Sequence, residues 1–138
     1  MGFRRKSREY AMQALFYLDN AEYDVEVSLT FFCENFAPPD DAKPFFDKLV
    51  DGVLAHKDEI DTMISGNSKN WKLSRMPAVD RNIMRVAVFE LLYCDDIPAK
   101  VSINEAIDIG KKYGTPESGS FINGILDSVY LNNIEKGK

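Results

Sequence analysis

The sequence is poor in the residues that build metal and redox sites. Its two cysteines, Cys33 and Cys94, belong to no CxxC motif, so their spacing supports neither a zinc site nor a redox dithiol. Its single histidine, His56, has no HExxH motif around it, which argues against a histidine-based metal site or a Ser-His-Asp triad. We therefore expect two reduced thiols in the core, a solvated His56 and no bound metal.

Long apolar runs are also missing. The longest, residues 83–94, contains Arg85 and Glu90 and falls well short of the roughly 20 residues that span a bilayer. Polar residues interrupt the apolar positions near the N-terminus, which argues against a signal peptide. These absences predict a cytoplasmic protein.

Phosphate-binding loops are absent as well. No GxxxxGK[ST] motif occurs, and Gly114, Gly119 and Gly124 follow no predicted strand, so neither a phosphate loop nor a dinucleotide fingerprint is present. We expect Gly114 to end a helix and Gly124 to let two helices approach closely. The sequence predicts no cofactor and no enzyme activity.

Charge, by contrast, is unevenly distributed. The 138 residues contain 17 Lys and Arg against 22 Asp and Glu, a net charge of −5. The first eight residues carry +4 and the remaining 130 carry −9, which together give that total. We call Arg4, Arg5, Lys6 and Arg8 the basic arm. A basic arm on an acidic chain indicates a binding function and argues against indiscriminate coating of nucleic acid.

Apolar residues recur at helical spacing in nearly every segment, which predicts an all-α fold. The expected helices cover residues 5–20, a short stretch after the cap Asp24, a long stretch from Asp41 to Gly66, residues 78–93, a stretch opened by a Ser102–Glu105 capping box, and a last one after Thr115-Pro116. The helix over 78–93 is apolar almost all round, so it should be central. The prediction is one domain over residues 1–138, a bundle of six to seven helices with an ordered core of 4–131 and frayed residues 135–138.

Two of these helices have a predicted inward stripe. The first buries Ala11, Ala14, Leu15 and Leu18, while Arg5, Arg8, Met12 and Phe16 fall largely on other faces. The second buries Val25, Leu29, Phe32 and Phe36.

The basic arm is followed on the first helix by Gln13 and Phe16. Gln can hydrogen-bond a base edge and Phe can stack on an unpaired base, so this combination suits single-stranded RNA. Lys111-Lys112-Tyr113 and the segment ending in Phe121 offer a second basic and aromatic patch. The alternative for the arm is a solvated helix end, and Phe16 and Phe121 could equally belong to the core.

Several motifs in register resemble the NusB family of bacterial transcription antitermination factors. They are Arg4-Arg5-Lys6-Ser7-Arg8-Glu9 with Ala11 and Gln13-Ala14-Leu15-Phe16, Trp71 with Arg75, Val79-Asp80-Arg81, Met84-Arg85, Phe89-Glu90-Leu91, Ile97-Pro98, Val101, Ile103-Asn104-Glu105-Ala106, Lys111 with Tyr113-Gly114, and Phe121 to Asp127. The resemblance covers almost the whole chain. It implies an all-α bundle of two three-helix halves.

The resemblance also implies a function without catalysis. NusB-like proteins pair with NusE, a small-subunit ribosomal protein, bind the boxA element of nascent RNA, and act with other Nus factors and RNA polymerase to suppress termination, notably in ribosomal RNA operons. Carried over by position, the RNA surface comprises Arg4, Arg5, Lys6, Arg8, Gln13, Phe16 and Phe121. The NusE-facing region comprises Asp80, Arg81 and Glu117. Position 16 is Phe where many members have Tyr, which keeps stacking and loses a hydroxyl.

Arg85 and Glu90 are expected to be structural, because charges among so many apolar neighbours need buried partners. Two other functions stay open. NusB-like domains also precede some ribosomal RNA cytosine methyltransferases, for which these 138 residues leave no room, and a helical protein-protein interaction module would need no RNA. A homodimer of the free protein also stays open, and exposed Phe or Leu near the arm would favour it.

Overall fold

The computed structural model describes residues 2–135, and in that range it contains seven α-helices and no strand. They are α1 (Phe3–Asp19), α2 (Val25–Asn35), α3 (Lys43–Ala55), α4 (Lys57–Gly66), α5 (Ala78–Tyr93), α6 (Ala99–Tyr113) and α7 (Ser118–Val129). A 3-10 turn at Leu73–Arg75 precedes α5, and a π-helical segment at Tyr130–Glu135 extends α7. The predicted all-α bundle is confirmed. Of the residues 135–138 predicted to be frayed, Glu135 is the last residue of the π-helical segment and 136–138 lie outside the described residues.

Helix α5 is the centre of the bundle, as its apolar sequence predicts. It packs against α1, α3, α4, α6 and α7. Its residues from Asn82 to Glu90 are all buried, so no face of that stretch is left to water. Helices α1–α3 form one three-helix half of the bundle, and α5 forms the other half with α6 and α7. Helix α4 packs against α5 and α7. The long side chains in the fully buried core include Phe46, Leu49, Ile60, Ile64, Met84, Ile122 and Leu126.

The prediction of one long helix from Asp41 to Gly66 is wrong, because the helix is interrupted at His56. The φ and ψ angles of His56 are −122° and 24°, outside the helical range, and its N–H is shared between the carbonyls of Gly52 and Val53. The segment before the break packs against α1 and α5, and the segment after it packs against α5 and α7. The bend therefore sends two amphipathic helices to different neighbours.

The capping box predicted at Ser102–Glu105 is also wrong. Helix α6 begins at Ala99 with Pro98 at its N-cap, so Ser102 and Glu105 lie within the helix. The Ser102 hydroxyl donates instead to Glu90 on α5, at 2.8 Å. The extended conformation that a proline cap imposes starts the helix before the Ser-x-x-Glu signal is reached.

The second helix buries less of its predicted stripe than expected. Phe32 is buried and Leu29 is half-buried, but Val25 is 48% and Phe36 is 54% exposed. Helix α2 packs chiefly against α1, so only the middle of its stripe is covered. Helix α1 lies between α3 and α5, and therefore buries Arg8 and Met12 in addition to Ala11, Ala14 and Leu15 of its predicted stripe, while Leu18 is half-buried.

The close helix approach predicted at Gly124 is wrong, since nothing lies within 4 Å of where its Cβ would be. Close approach occurs at Gly52 and Gly110 instead. The Phe89 ring occupies the space of a Cβ on Gly52, and Ile122 does the same at Gly110. The Gly114 prediction is confirmed, because this residue caps the end of α6.

Candidate RNA-binding surface

The basic arm forms the first turns of α1, and burial separates its four cations. Lys6 is exposed, and the side chains of Arg4 and Arg5 are 42% and 31% exposed. The Arg8 side chain is only 4% exposed. Helical spacing places Arg4 and Arg8 on one face of α1, and both guanidiniums lie over the Phe45 ring, with Cζ at 5.1 and 5.5 Å from its centroid. Packing of this face against α3 explains why Arg8 is covered.

Arg8 makes a buried fork-to-fork ion pair with Glu90 of α5. Its Nε and Nη2 donate to the two carboxylate oxygens, both at 2.8 Å, and Glu90 is 1% exposed. The remaining oxygen capacity of Glu90 is used by the Ser102 hydroxyl, and Arg8 Nη1 donates to Glu105 at 2.9 Å. Arg8 thus connects α1 to both α5 and α6.

Arg5 is held by two carboxylates of α6. Its Nε and Nη2 donate to Glu105 at 2.8 and 2.6 Å, and Nη2 also donates to Asp108 at 3.0 Å. The hydrogen bond from Arg5 lowers the pKa of Glu105, and the same bond raises the pKa of Arg5. Arg4 reaches Asp96 at 3.4 Å. We call Asp96, Glu105 and Asp108 the acidic flank.

Gln13 and Phe16 lie on one side of a groove of about 400 Å³. Its lining residues carry no formal charge and are mostly aromatic or aliphatic: Met12, Gln13, Phe16, Tyr17, Asn20, Phe32, Phe36, Val79 and Tyr113. Phe16 is 39% and Tyr113 is 37% exposed, so both rings are accessible from solvent. Two amide side chains, Gln13 and Asn20, lie beside these rings and can form hydrogen bonds.

Phe121 lies apart from this groove. It is half-buried on α7 and its ring meets Trp71 edge-on, with centroids 5.9 Å apart. Trp71 is 48% exposed, so the pair forms a second aromatic surface.

Asp80, Arg81 and Glu117 differ greatly in exposure. Asp80 is 2% exposed, and its Oδ1 has no hydrogen-bond partner in the described part of the chain. Burial raises the pKa of Asp80, and the nearby Ser118 side chain at the start of α7 opposes that rise. The Arg81 side chain is 15% exposed and donates to Asp19 and to the Leu73 carbonyl.

Glu117 is exposed at the N-cap of α7. Of the three residues in the predicted partner region, it alone has an accessible carboxylate.

The expectation of a buried partner is confirmed for Glu90, which pairs with Arg8, whereas the carboxylates that pair with buried Arg85 are only partly covered, with the Asp19 and Asp61 side chains 16% and 20% exposed. Arg85 bonds Asp61 at 2.8 and 3.0 Å and Asp19 at 3.1 and 3.2 Å. Burial alone would raise the pKa of Asp19, but a hydrogen bond from Asn82 and the charges of Arg85 and Arg81 outweigh it and lower the pKa.

Sequence reasoning missed the acidic flank. The local pattern predicts a helix-capping role for Glu105 and a turn at Asp96, and it assigns nothing to Asp108. The spacing of Glu105 and Asp108, three apart on one helix face, is a signal for a shared cation, but the partner lies a hundred residues away in sequence. Within residues 2–135, no helix could span a membrane and no group of three His, Cys, Asp or Glu residues could hold a metal.

The profile of the NusB family matches residues 5–131. The chain belongs to the NusB family. The transcription antitermination protein NusB of Desulfatibacillum aliphaticivorans is 56% identical over 132 residues, covering 96% of this chain and 92% of that protein. NusB of Geobacter sulfurreducens is 47% identical over 138 residues, covering 99% of this chain and all of the relative. NusB proteins are transcription antitermination factors, so the chain is a member of that class.

Solved structures agree with this NusB assignment. T. maritima NusB superposes with a TM-score of 0.84 at 37% identity, covering 97% of this chain and 94% of that one. A chain from a structure of the antitermination factors NusB and NusE in complex with double-stranded RNA superposes with a TM-score of 0.82 at 27% identity, covering 95% and 98% of the two chains.

Proposed function

We propose that this NusB-family chain binds boxA-type single-stranded RNA together with NusE and thereby suppresses termination, notably in ribosomal RNA operons. It acts as a non-catalytic adaptor that joins RNA to other Nus factors and RNA polymerase. The observation that carries the proposal is the uncharged aromatic groove beside Gln13 and Phe16, next to the basic arm on the same helix. The relative found with NusE and RNA supports it.

The groove suits an unpaired base better than a phosphate. Its lining carries no formal charge, the accessible rings of Phe16 and Tyr113 offer stacking surfaces, and the Gln13 amide can both donate and accept. Base stacking on an aromatic side chain contributes about 1–3 kcal/mol per base, which is enough to make Phe16 the main contact.

Arg4, Arg5 and Lys6 are the arm residues that we assign to phosphate contacts, since each has an exposed or half-exposed side chain. Arg8 supports RNA binding from within the fold, because its guanidinium is committed to Glu90 and Glu105. Phe121, beside Trp71, provides a second stacking surface.

The NusE-facing region is assigned to Asp80, Arg81 and Glu117. Glu117 makes the direct contact because its carboxylate is exposed. Asp80 and Arg81 act from within the fold, because Asp80 is buried beside Ser118 at the start of α7 and Arg81 bonds Asp19 at the end of α1.

The test is a titration of a boxA RNA and of a scrambled RNA of equal length, with and without the organism's own NusE. We expect NusE to raise the affinity for boxA selectively. Phe16→Ala should lower boxA affinity about tenfold, the equivalent of about 1.4 kcal/mol. The matched control is Tyr23→Ala, which truncates an aromatic residue that is 75% exposed and outside the groove.

If NusE binds and neither RNA does, the chain is a protein-protein interaction module and the RNA assignments fail. Sedimentation of the free protein belongs to the same experiment. Phe3 and Phe16, 47% and 39% exposed near the two ends of α1, are accessible apolar side chains that favour a homodimer of the free protein. A monomer at all concentrations would contradict that assignment.

A further inference from the structure

The basic arm is close to neutral in the folded protein. Four carboxylates bond three of its four cations: Glu90 and Glu105 hold Arg8, Glu105 and Asp108 hold Arg5, and Asp96 holds Arg4. The charge of +4 seen in the sequence is therefore matched by four negative charges within bonding distance. A phosphate approaching the arm meets ion pairs instead of free guanidiniums.

The carboxylates on Arg5 have different roles. Glu105 is 21% exposed and also bonds Arg8, so it belongs to the network that holds α1 on α6. Asp108 is 54% exposed, and its contact is a single bond to Arg5 Nη2. Asp108 is thus the outer partner, reachable by solvent and by RNA.

The hydrogen bonds of the Arg5 guanidinium determine which of its N–H groups are available to a ligand. A guanidinium has five N–H donors. Nε and Nη2 carry the three bonds to Glu105 and Asp108, so within the described part of the chain only the two N–H groups of Nη1 stay available. A bidentate phosphate contact needs two parallel donors on different nitrogens, and therefore requires that Asp108 leave Nη2.

We propose that Asp108 is an intramolecular competitor for RNA phosphate at Arg5, assisted by Asp96 at Arg4. The proposal rests on the RNA-binding function above and adds the residues that limit its electrostatic part. Because phosphate contacts carry no sequence information, this competition lowers affinity for every RNA alike. Binding then depends on the base contacts in the groove and on the surface that NusE adds.

The test compares Asp108→Asn with Asp58→Asn in a salt titration of the boxA and scrambled RNAs. Both substitutions remove one negative charge from an exposed aspartate, but Asp58 lies on α4, which packs against α3, α5 and α7. We expect Asp108→Asn to bind both RNAs about two- to fivefold more tightly at low salt, the range of one exposed ion pair. Its log-log salt slope should steepen by about 0.7 for one regained phosphate contact.

Asp108→Glu should keep the wild-type affinity and slope, because it preserves the competing carboxylate. Thermal unfolding of all three variants checks that the fold is kept. Equal changes in Asp108→Asn and Asp58→Asn, or weaker RNA binding by Asp108→Asn, would overturn the proposal while leaving the RNA function intact. Failure of the wild type and Asp108→Asn to bind any RNA, with NusE present, would overturn both.

Discussion

The two ends of α5 each bury a carboxylate, and only one of them meets a cation. Near its C-terminal end, Glu90 is 1% exposed and holds Arg8 and the Ser102 hydroxyl. At its N-terminal end, Asp80 is 2% exposed, with one oxygen unpartnered among residues 2–135. Equal burial on one helix therefore has opposite electrostatic consequences. The first carboxylate fastens three helices together, and the second destabilises the charged state of its own site.

Glu90→Ala should produce the largest effect. Removing it leaves the Arg8 guanidinium buried without its main partner, which costs about 3–5 kcal/mol of unfolding free energy. Chemical denaturation would measure this loss. The double variant Arg8→Met with Glu90→Leu removes both charges and should recover most of it. A loss below about 1 kcal/mol for Glu90→Ala would contradict the role assigned to the pair.

Asp19→Asn should have an intermediate effect that depends on pH. Asp19 accepts from Arg81, Arg85 and Asn82, so its loss should cost about 1–3 kcal/mol at neutral pH. The folded-state pKa of Asp19 is lowered, so its contribution is present above the ordinary carboxyl pKa and is lost as pH falls through the folded value. The difference between wild type and variant should therefore shrink below about pH 4. A difference independent of pH would argue against an ionic role.

Asp80→Asn should change the free energy of unfolding by a smaller amount and in the opposite direction, towards higher stability. Burial raises the pKa of Asp80, so its protonated form favours folding and its charged form opposes it once pH rises through the folded value. The uncharged amide should stabilise the protein by about 1 kcal/mol at pH 7 and have little effect at pH 3. Destabilisation at pH 7 would indicate a cation near this carboxylate.

Lys43→Ala should have the smallest effect. Lys43 pairs with Asp47 one turn away on α3, at 2.9 Å, with both side chains more than 40% exposed. Solvent screens such a pair, and the expected cost is at most about 0.5 kcal/mol. If Lys43→Ala lowered the free energy of unfolding as much as Asp19→Asn does, burial would not explain why the expected effects of these substitutions differ.

The sequence predicted the helical class and the central position of α5, because both follow from local apolar periodicity. It also predicted that Arg85 and Glu90 are paired inside the fold, since charges in an apolar run need partners, and a buried partner is found for Glu90. It did not identify those partners, because Arg8 and Glu90 are 82 positions apart and only the packed fold brings them together. Apolar periodicity also places Arg8 outside the buried stripe of α1, because it detects one buried stripe, whereas α1 is covered on two sides.

The site was predicted unevenly as well. Gln13 and Phe16 share the groove because they lie one turn apart on α1, which sequence spacing shows directly. The groove's other wall comes from α2, Val79 and Tyr113, and no local pattern connects these segments. Apolar spacing cannot predict the break at His56, because the spacing continues through it and the different packing partners of α3 and α4 determine the bend.

Because the two thiols are unequally buried, their labelling rates can report local opening in two different parts of the protein. Cys94, at the end of α5, is 2% exposed, while Cys33 on α2 is half-buried, and both are free thiols. Burial raises the pKa of both, so exposure of each thiol governs its alkylation rate at a given pH. Labelling of Cys33 then follows movements of the peripheral α2. Labelling of Cys94 proceeds only when the end of the central helix opens, and its rate measures how often the Glu90 junction separates.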